Sequence, residues 1–225
     1  NVNLLTYDSG TDKLTLDRPA ETNGSPILTQ PDIPFEFITS GTVPSGVNNF
    51  DIVLPTGFLT IRIFLFRVKT SAPSEPGFRF TDTSDNVILG DGGELDAYTT
   101  NVRSDGAGIG GGSGDTRHPG IQLYNWGNTS EFGSSLFPIE GYIDVTNHDS
   151  GSDRTFTVAI TTGTFENTGG DARIVRNRST GHLDLNRVAS PKIVKALRLQ
   201  TETEDPSTSI TWQGGKFAIY GFRDF

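Results

Sequence analysis

The sequence predicts an all-β protein, a jelly-roll-like antiparallel β-sandwich with an extended N-terminal arm. Short apolar runs recur between clusters of Gly, Pro, Asn, Asp and Ser, the arrangement of strands separated by turns. Glycine makes up 27 of the 225 residues, and strand-and-turn sequences explain a share this far above the average of about 7% better than helical ones. Helix signals are nearly absent, and the best stretch, residues 190–200, mixes helical and strand periods.

Residues 1–30 form the predicted arm, and residues 31–225 form the predicted β-sandwich domain. The arm is polar apart from short apolar patterns at residues 4–7 and 14–16. It contains Pro19 and Pro26, and Pro31 and Pro34 follow it. Proline blocks regular pairing in a sheet, and the few large apolar side chains of the arm recover little ordering entropy. We therefore expect the arm to lie across a neighbouring subunit or another protein. Asn1 stands in place of an initiator methionine, so we expect that preceding residues were removed.

About nine strands are predicted in the sandwich domain, each bounded by turn residues. The clearest lie at residues 50–54, 58–69, 77–81, 121–126, 139–145, 154–161, 172–176 and 216–222. This number of strands without helices is typical of a sandwich, of which the jelly roll is the commonest form at this length, and a closed barrel is the alternative. The absence of detectable repeats argues against a propeller or a β-helix.

The apolar pattern of three strands predicts which faces are buried. In residues 58–69 the apolar residues first lie on the face of Ile61 and, from Phe64 onward, on the other face. This indicates that the strand bends or that both of its faces are buried. In residues 154–161 apolar residues alternate with threonine, as in a half-buried strand. In residues 216–222 both faces are apolar, which predicts burial on both sides, either within the sandwich or partly by a partner in a homo-oligomer. The candidates of this strand for a core or an oligomer interface are Phe217, Ile219, Tyr220 and Phe222.

Composition excludes several classes of function. The formal net charge is −9 at pH 7, so the chain lacks the cationic surplus that a nucleic-acid partner requires. No apolar run approaches the ~20 residues of a membrane span. The chain has no cysteine, which excludes disulfides, thiolate metal ligands and a cysteine nucleophile. We expect no cofactor, no metal, and neither nucleic acid nor membrane as a partner.

Three glycines, Gly106, Gly108 and Gly111, match the G-x-G-x-x-G spacing of dinucleotide-binding loops. That site requires a preceding strand, a following helix and an acid about 20 residues farther on. Here polar residues precede the glycines, and a Gly-Ser-Gly-Asp run follows them. The segment is therefore interpreted as a surface loop.

The acidic clusters and the histidines do not form a recognisable metal or catalytic site. The clusters are Asp91, Glu94 and Asp96, and Asp149 with Asp153. Neither cluster matches an EF-hand loop, and acidic residues are common in turns. The histidines are His118, His148 and His182. They lack metal-ligand spacing and lie in loop-like contexts, so they are interpreted as solvated. Glycosidase carboxylates need only spatial proximity, which leaves an enzyme as a minor alternative.

Four aromatic residues could form a platform for a sugar, because an aromatic ring packs on the face of a pyranose. They are Tyr98, Tyr124, Trp126 and Trp212. Packing in the core or at an oligomer interface is the preferred interpretation of the same residues.

Two segments resemble sequences in tailed-phage virion proteins. Residues 137–145, FPIEGYIDV, are similar to an x-G-x-I-x-I strand of their small β-domains. Residues 214–222, GGKFAIYGF, are similar to the G-s-f-x-L-Y-G-i ending of capsid-stabilising proteins and of tail spike and fibre domains. Residues 50–68 are similar to the central strand pair of those domains. The resemblance extends loosely over residues 35–225 and implies a jelly-roll-like fold, homo-oligomers that are often trimers, and attachment to a virion.

We therefore expect a non-enzymatic phage virion protein, a capsid decoration (cement) protein that bridges capsomers at the capsid surface. Its expected partners are other copies of itself, as a homotrimer, and the phage major capsid protein. The alternative is a receptor-binding domain of a tail fibre or spike that recognises host glycans. A free carbohydrate-binding or hydrolytic domain is a third reading. Chain length favours decoration, since a fibre protein normally carries a long shaft.

Overall fold

The structure, a computed structural model, describes residues 4–8, 13–17, 35–72, 74, 76–88, 98–104, 109–115, 121–123, 138–149, 154–166, 172–184, 193–201 and 209–223. The chain divides into two compact units, Asn1–Pro34 and Phe35–Phe225. The first unit contains β1 (Leu4–Asp8) and β2 (Lys13–Asp17), which pair with each other antiparallel. These strands coincide with the two short apolar patterns of the predicted arm. Regular pairing was not expected in the arm, and this is wrong for residues 4–8 and 13–17.

The described part of the second unit contains strands and no helix. The strands are β3 (Phe35–Thr42), β4 (Asn49–Val53), β5 (Thr60–Val68), β6 (Gly77–Thr81), β7 (Tyr98–Ser104), β8 (Ile109–Asp115), β9 (Ile121–Gln122), β10 (Ile139–Thr146), β11 (Arg154–Glu166), β12 (Ala172–Asp184), β13 (Ala196–Gln200) and β14 (Lys216–Phe222). The all-β prediction is confirmed. β6 and β14 have the predicted bounds, whereas β11 and β12 are longer than predicted. Residues 124–126 of the predicted strand 121–126 lie outside the described residues.

The strands form two antiparallel sheets around one core. The large sheet has the order β3-β14-β5-β10-β11-β12-β7-β8, and the small sheet has the order β4-β13-β6-β9. Buried apolar side chains include Ile61, Ile63, Leu65 and Ile143 from the large sheet and Ile52, Phe78, Phe80, Leu197 and Leu199 from the small sheet. The ring of Phe50 in β4 lies 6.3 Å from that of Phe217 in β14. The two sheets therefore pack face to face as a sandwich.

Residues 196–200, the last half of the best helix candidate, form strand β13. β13 lies between β4 and β6 in the small sheet. Ala196 and Gln200 are buried on one of its faces, and Leu197 and Leu199 are buried on the other. A strand that is covered on both faces does not show clean alternation, which explains the mixed periods of this segment.

The glycine-rich segment was expected to be a surface loop, and this is wrong for Gly111. Gly111 lies in β8 opposite Val102 of β7, whereas Gly106 and Gly108 lie outside the described residues. Glycine has a low strand propensity, but ladder hydrogen bonds use only backbone groups. Pairing with β7 therefore outweighs the local preference.

The predicted change of face in residues 58–69 corresponds to a β-bulge. The pairing of β5 with β10 shifts register between Ile139 and Gly141, and Arg67 has a positive φ of 50°. Leu65 faces the core before the shift, and Val68 faces it afterwards. The irregularity thus changes which positions of β5 are buried, as a bulge does.

β11 has the predicted period of two, but its threonine face is the buried one. Thr155, Thr157, Ala159 and Thr161 are buried, whereas Phe156 is 47% exposed. The Oγ1 of Thr157 donates a hydrogen bond to the carbonyl of Gly181 at 3.2 Å, and the Oγ1 of Thr161 donates one to Leu123 at 2.7 Å. Hydroxyls that find such partners are tolerated in a core. The apolar side chains of β11 therefore lie on the other face of the sheet.

Candidate interaction surface

The large sheet has a second face, which points away from the core. Side chains alternate between the two faces of a strand, and Phe217 and Ile219 of β14 belong to the core side. The even positions of β14, and the residues in register with them on β3, β5, β10 and β11, therefore lie on the outer side. We call this surface the outer aromatic face. Its apolar members are Phe37, Phe64, Phe66, Tyr142, Phe156, Val158, Ile160, Tyr220 and Phe222.

The rings of the outer aromatic face interlock across the strands. The ring of Tyr220 lies 5.4 Å from that of Phe37 at 66° and 5.5 Å from that of Phe64 at 85°. Phe64 also lies 6.0 Å from Tyr142 and 6.1 Å from Phe66. Such aromatic pairs contribute about 0.5–1.5 kcal/mol each beyond the area that they bury. The cluster is therefore ordered by its own contacts, although Phe37 is 55% exposed and Phe66 is 47% exposed.

Arg62 of β5 is a cation within the outer aromatic face. Its guanidinium donates two hydrogen bonds to the carboxylate of Asp144 in β10, at 2.7 and 2.8 Å. It also lies 4.3 Å from the ring centroid of Tyr142 and 5.5 Å from that of Phe222, within the range of cation–π attraction. The hydrogen bond to Asp144 raises the pKa of Arg62. Both charges are thus matched within the chain by a bidentate pair.

The predicted interface strand, β14, divides between the two sides of the sheet. Phe217 and Ile219 pack in the core. Tyr220 contacts Phe37 and Phe64, and Phe222 lies near Arg62, so both belong to the outer aromatic face. The division of β14 into two apolar faces is as predicted.

The predicted sugar platform does not include an accessible Trp212. This residue is fully buried and packs edge to face against Phe50 at 5.9 Å. Trp212 therefore belongs to the core and cannot stack on a sugar. Tyr98 lies in β7, but its side chain lies outside the described part of the chain, as do Tyr124 and Trp126.

The histidines were expected to be solvated, and this is wrong for His148. Its side chain is fully buried, and Nε2 donates a 2.9 Å hydrogen bond to the carbonyl of Pro55. Burial lowers the pKa of His148. His182 lies in β12 with its ring 6.2 Å from that of Phe156, and therefore does not lie in a loop. His118 lies outside the described residues.

Of the predicted carboxylate clusters, the structure describes Asp149 alone. Its Oδ2 accepts a 2.8 Å hydrogen bond from the N–H of Gly57, which lies in the connection between β4 and β5. The residues outside the described ranges are Asp91, Glu94, Asp96 and Asp153. Within the described ranges, no group of three or more His, Asp or Glu side chains is placed to hold a metal ion. The same ranges contain no helix of the length and hydropathy that a membrane span requires.

Most of the outer aromatic face was not predicted from the sequence. The members that were not singled out as interface candidates include Phe37, Phe66, Tyr142 and the Arg62–Asp144 pair. A signal was present in β5 and β10, since each carries large side chains at both odd and even positions. Only the pairing of β5 with β10 and with β14 shows that the side chains at even positions of these strands form one surface.

Comparisons with known proteins do not add an assignment to this geometry. No protein-family model, curated protein or solved structure matches the chain. The sandwich and its outer aromatic face are therefore the observations that bear on the class of protein.

Proposed function

We propose that this chain is a non-enzymatic structural protein of a phage virion, a capsid decoration protein that bridges and stabilises capsomers as a homo-oligomer. The observation that carries the proposal is the outer aromatic face, on which three large apolar side chains, Phe37, Phe66 and Phe156, are about half exposed. An exposed apolar face that spans several strands marks a contact with another protein. The assignment to a virion is supported by the resemblance of residues 137–145 and 214–222 to phage capsid-stabilising sequences.

The arrangement of the rings favours a protein partner over a glycan. A sugar platform requires ring faces that lie flat along the surface. The rings of Tyr220 and Phe64 instead meet at 85°, and those of Tyr220 and Phe37 meet at 66°. An uneven aromatic surface of this kind can interdigitate with the side chains of another protein. Tyrosine and phenylalanine are enriched at interfaces between proteins.

We also propose that the sandwich is a jelly roll, the fold that the resemblance implies. Two sets of four strands support this: β3, β14, β5 and β10 are neighbours in the large sheet, and β4, β13, β6 and β9 form the small sheet. Consecutive strands from β3 to β6 alternate between the large and the small sheet, and the chain crosses again from β13 in the small sheet to β14 in the large sheet. Eight strands in two sheets with such crossings are what two Greek keys produce.

Stoichiometry in purified particles tests the proposed function. We expect quantitative mass spectrometry of phage particles purified from the source of this chain to find it in a copy number comparable to that of the major capsid protein. Imaging of the same particles should show β-sandwich density on the outside of the shell. A few copies located at the tail would instead support a receptor-binding domain. Absence from the particles would exclude both assignments.

A further inference from the structure

The outer aromatic face differs from the outward side of the small sheet. On the small sheet, Arg198 donates two hydrogen bonds to Asp51 at 2.7 and 2.8 Å, and the neighbouring Ala196 and Thr81 are buried. In the described part of the chain, Val53 is an exposed apolar residue on that sheet, at its edge strand β4. The large sheet is therefore the one that presents a continuous apolar surface.

We propose that the outer aromatic face is the surface through which two copies of this chain associate, face to face and about a two-fold axis. This inference rests on the proposed function, because both treat the face as an assembly surface, and it adds the identity of the partner. A face that packs on an identical face produces a two-fold contact. The homo-oligomer is then a dimer, in place of the trimer that the sequence resemblance implies.

The charge of the face favours a second copy over a charged partner. Among the described positions in register on the face, Arg62 and Lys216 are balanced by Asp144 and Glu140, a sum of zero. Arg67, at the bulge beside Phe66, and Arg178 of β12, which pairs with Ile160, add two positive charges at the margins of the face. The chain as a whole carries −9, so its excess negative charge lies elsewhere. Two identical acidic chains that meet through this surface therefore keep their excess negative charge away from the contact.

The ion pair between Arg62 and Asp144 can be buried by a partner without leaving a charge unmatched. Removing an unpaired charge from water is costly, whereas a pair whose hydrogen bonds are already made leaves no charge unmatched. Two N–H groups of the Arg62 guanidinium donate to Asp144, and the guanidinium also contacts the rings of Tyr142 and Phe222. A partner therefore needs to supply no counter-charge at this point, and an identical apolar face meets that requirement.

The extent of the face matches what a stable dimer buries. The face crosses five strands, β3, β14, β5, β10 and β11. At about 4.8 Å between strands and about seven residues of about 3.3 Å along each, its projected area is about 550 Å². Protruding side chains make the accessible area larger than the projection. A specific interface buries at least about 1,000 Å² in total over the two partners, and two such faces together exceed that figure.

The mass of the purified full chain in solution tests the inference. We expect light scattering and sedimentation to give twice the chain mass of 24.3 kDa. The double variant Phe37→Glu/Phe66→Glu places a charge at two half-exposed positions of the face. It should weaken dimerisation at least about 100-fold, since buried aromatic residues dominate such contacts. Val53→Glu is the control, because it also places a glutamate at an exposed apolar position, but on the small sheet, and should leave the dimer intact.

Near-ultraviolet circular dichroism and thermal unfolding establish whether each variant is folded. A wild-type monomer or trimer would overturn the inference without reference to any variant. A wild-type dimer that a folded double variant retains would also overturn it, since the contact would then lie elsewhere. These measurements require no particle. A chain that is monomeric in solution but abundant on capsids contradicts the dimer inference alone, whereas a dimer that is absent from capsids contradicts the proposed function alone.

Discussion

At the scale of single residues, His148 and Asp149 tie the turn after β10 to the connection between β4 and β5. The Nε2 of His148 donates a 2.9 Å hydrogen bond to the carbonyl of Pro55, and Oδ2 of Asp149 accepts a 2.8 Å hydrogen bond from the N–H of Gly57. The Nδ1 of His148 is buried and makes no hydrogen bond in the described structure. Protonation would place an N–H at Nδ1 without an acceptor, so the neutral ring is the form that fits.

We expect the stability of the sandwich to fall as the pH decreases from 7 to 5. Burial lowers the pKa of His148 in the folded protein below its ordinary value of about 6.5, although the charge of Asp149 opposes this shift. The unfolded chain therefore binds a proton at a higher pH than the folded chain does. This contribution to stability is complete above pH ~6.5 and is lost as the pH falls through the unfolded pKa toward the folded one.

Denaturant unfolding at several pH values measures this effect. His148→Gln should show a smaller loss of stability between pH 7 and pH 5 than the wild type does. His182→Gln, which removes the histidine of β12, is the comparison variant that shows whether the effect is specific to His148. Equal pH dependence in His148→Gln and the wild type would show that other groups are responsible.

At the scale of elements, the junction of β5, β10 and β11 depends on a glycine at the irregularity of the large sheet. Gly141 lies at the register shift between β10 and β5 and has a φ of 148°. A Cβ at this position would collide with the backbone carbonyl of Ile160 in β11. Glycine satisfies both requirements, since it has no Cβ and tolerates positive φ.

We expect Gly141→Ala to reduce the free energy of unfolding by about 2–4 kcal/mol, because it adds backbone strain and forces β10 and β11 apart. Gly214→Ala separates the two causes. Gly214 also has a positive φ, of 105°, but the space around it is open, so only the smaller strain of about 1 kcal/mol applies. Denaturant unfolding of both variants provides the comparison. Equal losses would mean that the close approach of β11 contributes nothing.

At the scale of the whole molecule, the described core belongs to the second unit. Its buried apolar residues extend from Val43 to Ile219, and the chain divides between Pro34 and Phe35. The predicted role of residues 1–30 as an arm that lies on a neighbour stays a prediction. This predicted role concerns the attachment of the protein to a neighbour and not the stability of the sandwich.

We expect deletion of residues 1–30 to leave a cooperatively folding sandwich whose thermal midpoint is close to that of the full chain, because the described core residues remain. The truncated chain should dissociate from particles at a lower temperature than the full chain does. Thermal unfolding and particle sedimentation after heating measure the two effects. Loss of the cooperative transition would place the arm in the core, and unchanged retention on particles would make it a passive tail.

The sequence by itself determined most strands of the second unit, although not β3, β7, β8 or β13, because alternation and turn residues act over a few positions. β6 and β14 have the predicted bounds, and the change of face near Phe64 predicts the irregularity in β5. The local pattern was insufficient for β13, which is buried on both faces. It was also insufficient for β8, which forms because its backbone pairs with β7. The virion role and the partners have no such local signal and remain proposals.

Only the tertiary structure decided which side of each strand is buried. In β11 the threonines face the core because Gly181 and Leu123 supply acceptors for the hydroxyls of Thr157 and Thr161. The outer aromatic face likewise exists only because pairing brings together five strands that are far apart along the chain. A period of two shows that the two sides of a strand differ. Which side becomes the core depends on partners that are distant in the sequence, because burial and hydrogen bonding are properties of the assembled sheet.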